Sequence, residues 1–157
     1  MKHLAIGLSA ILLLVSPAWA QTWGSDYNMG SIGVRAGTDA SGTITLDCAE
    51  SGNAFVDQGA LSIFVRPKAD APAKDAAPAS LNFDVDGQSV SLPVSDNSGD
   101  GLIYEKTPET LAAATGLIAM LRDGKQLTVS NGTDVLAQMR LDGATEALDG
   151  VDACLTE

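Results

Sequence analysis

This sequence has little histidine, few cysteines and few aromatic residues. Among 157 residues there is one histidine, His3, there are two cysteines, Cys48 and Cys154, and aromatic residues make up 4%. After residue 20 no segment approaches the roughly 18 consecutive apolar residues that a transmembrane helix needs. The sequence therefore predicts no transmembrane segment beyond its first twenty residues.

Residues 1–20 have the pattern of a signal peptide. Lys2 precedes an apolar stretch over residues 4–15, and the small residues at 18 and 20 form a cleavage site. The apolar stretch is too short to span a bilayer comfortably. We expect cleavage after residue 20, which leaves residues 21–157 as a single exported domain that is periplasmic or secreted.

Cleavage also removes His3, the only histidine, and this loss excludes several kinds of site. Catalytic triads with a histidine base, zinc and blue-copper sites with histidine ligands, and histidine-ligated haem all need this residue. Two cysteines cannot form a four-cysteine metal site. We therefore expect no catalytic, cofactor-binding or metal-ligating residues and no cofactor.

The two cysteines predict a structural disulfide between Cys48 and Cys154. An even number of cysteines in an oxidising compartment favours pairing. A redox-active thiol is the alternative, but it usually needs a Cys-x-x-Cys motif or an activating neighbour, and neither is present.

The chain is strongly acidic, with a formal net charge of −11. Cleavage leaves eight basic and twenty acidic residues, a net charge of −12. This balance argues against binding of nucleic acid through a basic surface. Carboxylate chemistry survives the loss of histidine, so a carboxylate-based hydrolase stays an alternative. Twenty acids provide pairs at almost any spacing, so no particular pair is evidence for it.

Alternating apolar and polar residues predict a mostly β domain with hairpins. Two-residue turns are expected at Asp86-Gly87 and Asn131-Gly132, and Val135 is expected to face the core. Proline in the strand over residues 90–94 predicts a sheet edge. The strands are predicted at residues 31–36, 43–48, 61–66, 81–85, 90–94, 102–105, 125–130 and 133–141.

Two helices complete the predicted fold. Thr107 and the proline and acid after it predict the start of a helix over residues 107–123, and Gly124 predicts its end. Apolar residues at helical spacing predict a short C-terminal helix over residues 144–154. The fold class is an antiparallel β-sandwich or open barrel of seven to eight strands with these two helices.

Three segments are candidate functional sites. Asp96, Ser98 and Asp100 match ligand positions of a calcium loop over residues 96–101, but position twelve is Thr107, and a plain turn is favoured. Trp23 and Tyr27 either pack the N-terminal segment onto the domain or form a binding patch. The alanine- and proline-rich loop over residues 67–80 either docks a partner or makes no specific contact.

The last third of the chain resembles two groups of exported bacterial proteins. They are the invasion-associated locus B family and periplasmic accessory proteins of type VI secretion loci. The resemblance implies a secreted or periplasmic β-rich domain without known catalytic residues. It is carried by Leu121, Gly124, Leu127, Val129, Leu141, Gly143, Ala147, Leu148 and Cys154.

These observations predict a non-catalytic exported module that acts by protein–protein contact at the bacterial envelope. The partner is expected to be a protein whose identity the sequence does not specify. An alternative is an acidic inhibitor of a basic hydrolase such as lysozyme, since the negative charge would steer the chain to a cationic enzyme.

Overall fold

The computed structural model describes residues 23–50, 52–53, 55–71 and 78–156. The predicted signal peptide lies outside these residues, as does the middle of the predicted loop over residues 67–80. Within the described part of the chain, no helix is both long and apolar enough to cross a membrane.

In these described ranges ten strands form two antiparallel sheets, which confirms the predicted mostly β sandwich with one longer and one short helix. The six-stranded sheet has the order β1 (Gly24–Asn28), β2 (Ser31–Thr38), β3 (Gly42–Ala49), β4 (Leu61–Arg66), β8 (Leu102–Glu105) and β7 (Asp96–Asn97). The four-stranded sheet has the order β10 (Asp134–Arg140), β9 (Gln126–Asn131), β5 (Ser80–Val85) and β6 (Gln88–Pro93).

The strand count exceeds the predicted seven to eight because two edge strands lack an alternating pattern. All five residues of β1 are exposed, and β7 has only two residues, both exposed. Neither strand buries a face, so neither carries the hydrophobic signal of a strand. Pro93 lies on β6, an edge strand, as predicted.

The core lies between the inner faces of the sheets and under helix α1 (Leu111–Asp123), which packs against β5 and β6. Alternation places every second residue of the central strands in this core. The buried residues include Val34, Ile44, Leu46, Ile63, Val65, Leu81, Phe83, Val85, Leu127 and Val129, with Leu117, Ile118 and Leu121 from the helix.

Helix α1 begins four residues later than predicted. Thr107 starts a turn, in which the Thr110 amide donates to the Thr107 carbonyl at 3.1 Å, and Thr110 is the N-cap. The hydroxyls of Thr110 and Tyr104 are hydrogen-bonded at 2.9 Å, and this contact holds the turn against β8. The predicted end of the helix at Gly124 is confirmed.

The predicted C-terminal helix is two short helices. They are α2 (Ala144–Ala147) and a 3₁₀ helix (Val151–Cys154). Gly150 separates them with a φ of 89°, which a continuous right-handed helix does not allow.

The predicted turn after β9 is shifted by one residue. Asn131 pairs with Asp134, so Gly132 and Thr133 form the turn instead of Asn131 and Gly132. A register shift between Val135 and Ala137 adds a residue to β10. Val135 is therefore 37% exposed, against the inward position predicted for it, and Leu136 is buried.

The predicted disulfide is present: Cys48 on β3 is bonded to Cys154 in the 3₁₀ helix, and both are fully buried. Trp23 takes the packing role, because it is buried and its indole nitrogen donates to the Arg140 carbonyl at 2.9 Å. Tyr27 is exposed. The start of the 67–80 loop is attached to β10 through the Lys68 amide.

Candidate functional site

The outer face of the six-stranded sheet carries a row of acidic residues, which we call the acidic row. The strand register aligns Asp26 on β1, Gly33 on β2, Asp47 on β3, Ser62 on β4 and Glu105 on β8. Neighbouring residues on the central strands point into the core, so this row lies on the outer face of the sheet. The register thus brings together carboxylates that are far apart in sequence.

Gly33 allows the two carboxylates on either side of it to lean toward each other. Oxygen atoms of Asp26 and Asp47 lie 2.7 and 3.4 Å from the point that a Cβ on Gly33 would occupy. Partial burial raises the pKa of Asp47, the nearby Arg35 lowers it, and the negative charge of Asp26 raises it further. The net shift of the pKa is upward, so Arg35 does not offset the combined effects of burial and Asp26.

The acidic row borders a groove of about 340 Å³, which we call the acidic groove. Three of its lining residues are acids: Asp47, Asp57 and Glu105. Lys106 also lines it, but its ammonium donates to the carbonyls of Cys154 and Thr156 at 2.7 and 3.0 Å. Its charge is outnumbered by the three carboxylates, so the groove attracts positive charge.

Beside the groove, three apolar side chains project from two loops. Met29 in the β1–β2 turn is 67% exposed, and Phe55 and Val56 in the β3–β4 loop are 77% and 52% exposed. We call these three residues the apolar tip. Val56 also lines the acidic groove, so the two features are continuous.

Asn53 fixes the geometry of the apolar tip. Its side-chain oxygen accepts hydrogen bonds from the amides of Phe55 and Val56 at 2.8 and 2.9 Å. Its side-chain nitrogen donates to the Ser31 hydroxyl at 2.8 Å, which ties the loop to β2. The Glu50 amide donates to the Gly30 carbonyl at 2.7 Å, so the two loops are joined by their backbones as well.

The loop predicted as a calcium site or a turn has the geometry of a turn. Asp96 accepts a hydrogen bond from the Asn97 amide at 2.7 Å, and the Asn97 side chain accepts from the Gly99 amide at 3.0 Å. Asp100 accepts from Ser98 and forms an ion pair with Arg66 at 2.9 Å. Among the described residues no group of three histidine, cysteine or acidic side chains is placed to hold a metal ion.

Sequence reasoning missed the acidic groove and the apolar tip. The segment over residues 50–60 has no alternation or helical spacing that would indicate an element. One signal was present: Phe55 and Val56 are an apolar pair between Asn53 and Gly59, in a segment otherwise rich in turn-forming residues. Apolar residues inside a polar turn are candidates for a contact surface.

The model of the YfjT family matches residues 21–148 of the chain. This protein belongs to the YfjT family. The match includes both features of this YfjT protein's site, the acidic groove and the apolar tip, and it ends before Cys154. No curated protein and no solved structure matches the chain.

Proposed function

We propose that this YfjT protein is an exported module that acts by protein–protein contact at the bacterial envelope. The apolar tip carries the proposal. Met29, Phe55 and Val56 are exposed, and Asn53 holds two of them in a fixed conformation. Burying apolar surface against a partner contributes about 25 cal/mol per Å², and little of this is lost when the loop is already ordered.

The acidic groove indicates the chemistry of the partner surface. A lysine or arginine of the partner would place its alkyl stem on Val56 and its charged head among Asp47, Asp57 and Glu105. Charge complementarity at the edge of an interface mainly accelerates association and excludes partners of the wrong sign. We therefore propose a partner with an apolar depression bordered by basic side chains.

Three observations support export. The first twenty residues have the pattern of a signal peptide. The disulfide between Cys48 and Cys154 is typical of oxidising compartments. The family match begins at residue 21, the first residue after the expected cleavage site. The resemblance to the invasion-associated locus B family and to type VI accessory proteins agrees with this location and stays a hypothesis.

Site-specific photo-crosslinking tests the proposal in cells that produce the protein. A photoreactive amino acid at position 55 should crosslink a protein that the same probe at position 135 does not reach, since Val135 is exposed on the other sheet. The purified partner should bind the wild-type protein and the Val135→Asp variant, and lose affinity for Phe55→Asp. Equal binding to all three proteins would refute the role of the apolar tip.

The same preparation tests the location and the absence of catalysis. N-terminal sequencing of the protein from the periplasm or medium should begin at residue 21, and an intact N-terminus would refute cleavage at this site. The carboxylate-hydrolase alternative draws on the three acids of the groove. If the protein hydrolyses an envelope polysaccharide, and Asp47→Asn or Glu105→Gln abolishes this activity, then it is a hydrolase and the proposed contact function is wrong.

Inhibition of a basic hydrolase is a second candidate function, favoured by the acidic groove lying directly beside the apolar tip. Carboxylates that border an apolar contact would steer the protein to a cationic enzyme and orient it there. The test is lysozyme activity at low ionic strength with excess protein. Inhibition that Phe55→Asp relieves and that salt weakens supports this function, and unaltered activity dismisses lysozyme as the target.

A further inference from the structure

The outer face of the six-stranded sheet also carries a basic half, beside the acidic row. The register places Arg35, Thr45 and Phe64 in the next row across the sheet, and Thr43 and Arg66 in the row after it. These residues line a trough of about 570 Å³. We call it the arginine trough.

Two glycines form part of the floor of the trough. Gly24 and Gly37 line it without side chains, and this absence makes the sheet surface concave there. Gly37 has a φ of 97°, and a Cβ at this position would come within 2.1 Å of the Gly42 carbonyl oxygen. No other residue fits at position 37 without moving the backbone, so the concave floor is built into the fold.

The Phe64 side of the trough is packed against the backbone of Gly101. A Cβ on Gly101 would meet the Phe64 ring at 2.3 Å, so the ring packs closely on the Gly101 backbone. The guanidinium of Arg66 lies 5.9 Å from the centre of this ring and 2.9 Å from an Asp100 oxygen. Arg66 has five N–H donors, and the hydrogen bond to Asp100 uses one of them.

The opposite wall carries the guanidinium of Arg35, which acts on Asp47 through its charge. Arg35 makes no hydrogen bond or ion pair within 4.0 Å with any residue that the structure describes. It lies on β2 and Arg66 on β4, so Thr43 and Thr45 of β3 separate the two arginines. Two guanidiniums on either side of two hydroxyls supply N–H and O–H donors of the kind that bind an anion.

The acids at one margin determine where such an anion lies. Asp26 lines the edge of the trough, and Asp47 stands in the next row. Both repel negative charge, and Asp100 beside Arg66 repels it from the other side, so the anionic group is placed between these carboxylates, over Thr43. Phe64 then contacts the apolar part of the same ligand.

From this arrangement we propose that the arginine trough binds a small organic anion, in which a carboxylate or phosphate group is attached to an apolar body. The anionic group accepts hydrogen bonds from Arg35, Arg66 and the Thr43 hydroxyl. Bidentate pairing of guanidinium with carboxylate or phosphate supplies the geometric selectivity. This proposal is independent of the apolar tip, which lies at the other end of the same sheet face.

NMR titration of the full mature chain tests the proposal with three probes: benzoate, phenyl phosphate and inorganic phosphate. We expect saturable shifts of the Thr43 and Thr45 amides and of the arginine Nε–H groups, with organic anions binding more tightly than inorganic phosphate. Tighter binding of benzoate identifies a carboxylate site, and tighter binding of phenyl phosphate identifies a phosphate site. Shifts that do not saturate, or that spread over both sheets, overturn the proposal.

Variants locate the binding within the trough. Arg35→Gln should weaken binding about fivefold or more, as for loss of a charged hydrogen bond. Arg140→Gln is the matched control, since Arg140 is exposed on the other sheet beside Asp142, and it should leave affinity unchanged. Asp100→Asn frees Arg66 and should preserve or strengthen binding. Equal affinity of the wild-type protein and Arg35→Gln refutes the site.

Discussion

Asp26 and Asp47 face each other across Gly33, although their strands do not pair with each other. The glycine between them leaves space that both carboxylates enter. The proximity couples their charges, and this coupling is one cause of the raised pKa of Asp47. The first two predictions test this relationship.

Changing the neighbours of Asp47 should shift its pKa in opposite directions. Asp26→Asn removes a negative charge and should lower the pKa of Asp47, whereas Arg35→Gln removes a positive charge and should raise it. Carbon-detected NMR of the Asp47 carboxyl over a pH series measures both shifts. A shift of the same sign in both variants would contradict the geometry.

Asp47→Asn should stabilise the protein at neutral pH. The folded pKa lies above the ordinary value of 3.8, so the folded state binds the proton more tightly than the unfolded state does. The resulting stability is present below pH 3.8 and is lost as the pH rises through the folded pKa. Removing the charge should therefore raise the free energy of unfolding at pH 7, by an amount that solvent screening of this half-exposed group keeps small. Urea denaturation at pH 7 and pH 3 measures the gain, and an equal gain at both would refute this cause.

The double variant with Cys48→Ala and Cys154→Ala should lose roughly 3–5 kcal/mol of stability. The disulfide closes a loop with a sequence separation of 106 and restricts the unfolded chain. Because both cysteines are fully buried, the native protein should resist reduction until denaturant is added. Urea denaturation should give similar free energies of unfolding for the variant and for the reduced wild-type protein. The difference between them should be only the effect of replacing two buried thiols by methyl groups. A loss of less than 1 kcal/mol in both would contradict the prediction.

Two glycines at the same helix should respond oppositely to alanine. Gly116 is inside α1, and a Cβ there meets nothing within 4 Å, so Gly116→Ala should stabilise by about 0.5–1 kcal/mol through helix propensity. Gly124 ends the helix, and a Cβ there would come within 2.2 Å of a Val85 methyl. Gly124→Ala should therefore destabilise by roughly 1–3 kcal/mol. Thermal unfolding of both variants measures the contrast, and equal shifts would show that the contact at Gly124 relaxes freely.

Asn53→Ala should release the apolar tip without unfolding the sheet. The substitution removes three hydrogen bonds, two to the amides of Phe55 and Val56 and one to Ser31. Hydrogen exchange of those two amides should accelerate, with a stability loss of about 1–2 kcal/mol. Asn82→Ala is the control, since the Asn82 side chain makes no hydrogen bond with the described residues. Unchanged exchange at Phe55 and Val56 would show that other contacts order the loop.

The sequence by itself determined those elements whose signal is local. Alternation in β3 and β4 places Ile44, Leu46 and Ile63 in the core, because side chains in a strand point to opposite faces. The pairing of Cys48 with Cys154 followed from there being only two cysteines. Gly124 ended the helix as expected, although the start moved to Leu111 because the preceding residues form a turn.

Only the tertiary structure decided the edges, the bulge and the sites. β1 buries nothing and forms because β2 offers it an unpaired edge, and the bulge at Val135 depends on how β10 pairs with β9. Asp26, Asp47 and Glu105 lie in one row because of the register of five strands. That register depends on how all the strands pack over one core. A local sequence pattern therefore does not show which distant residues become neighbours.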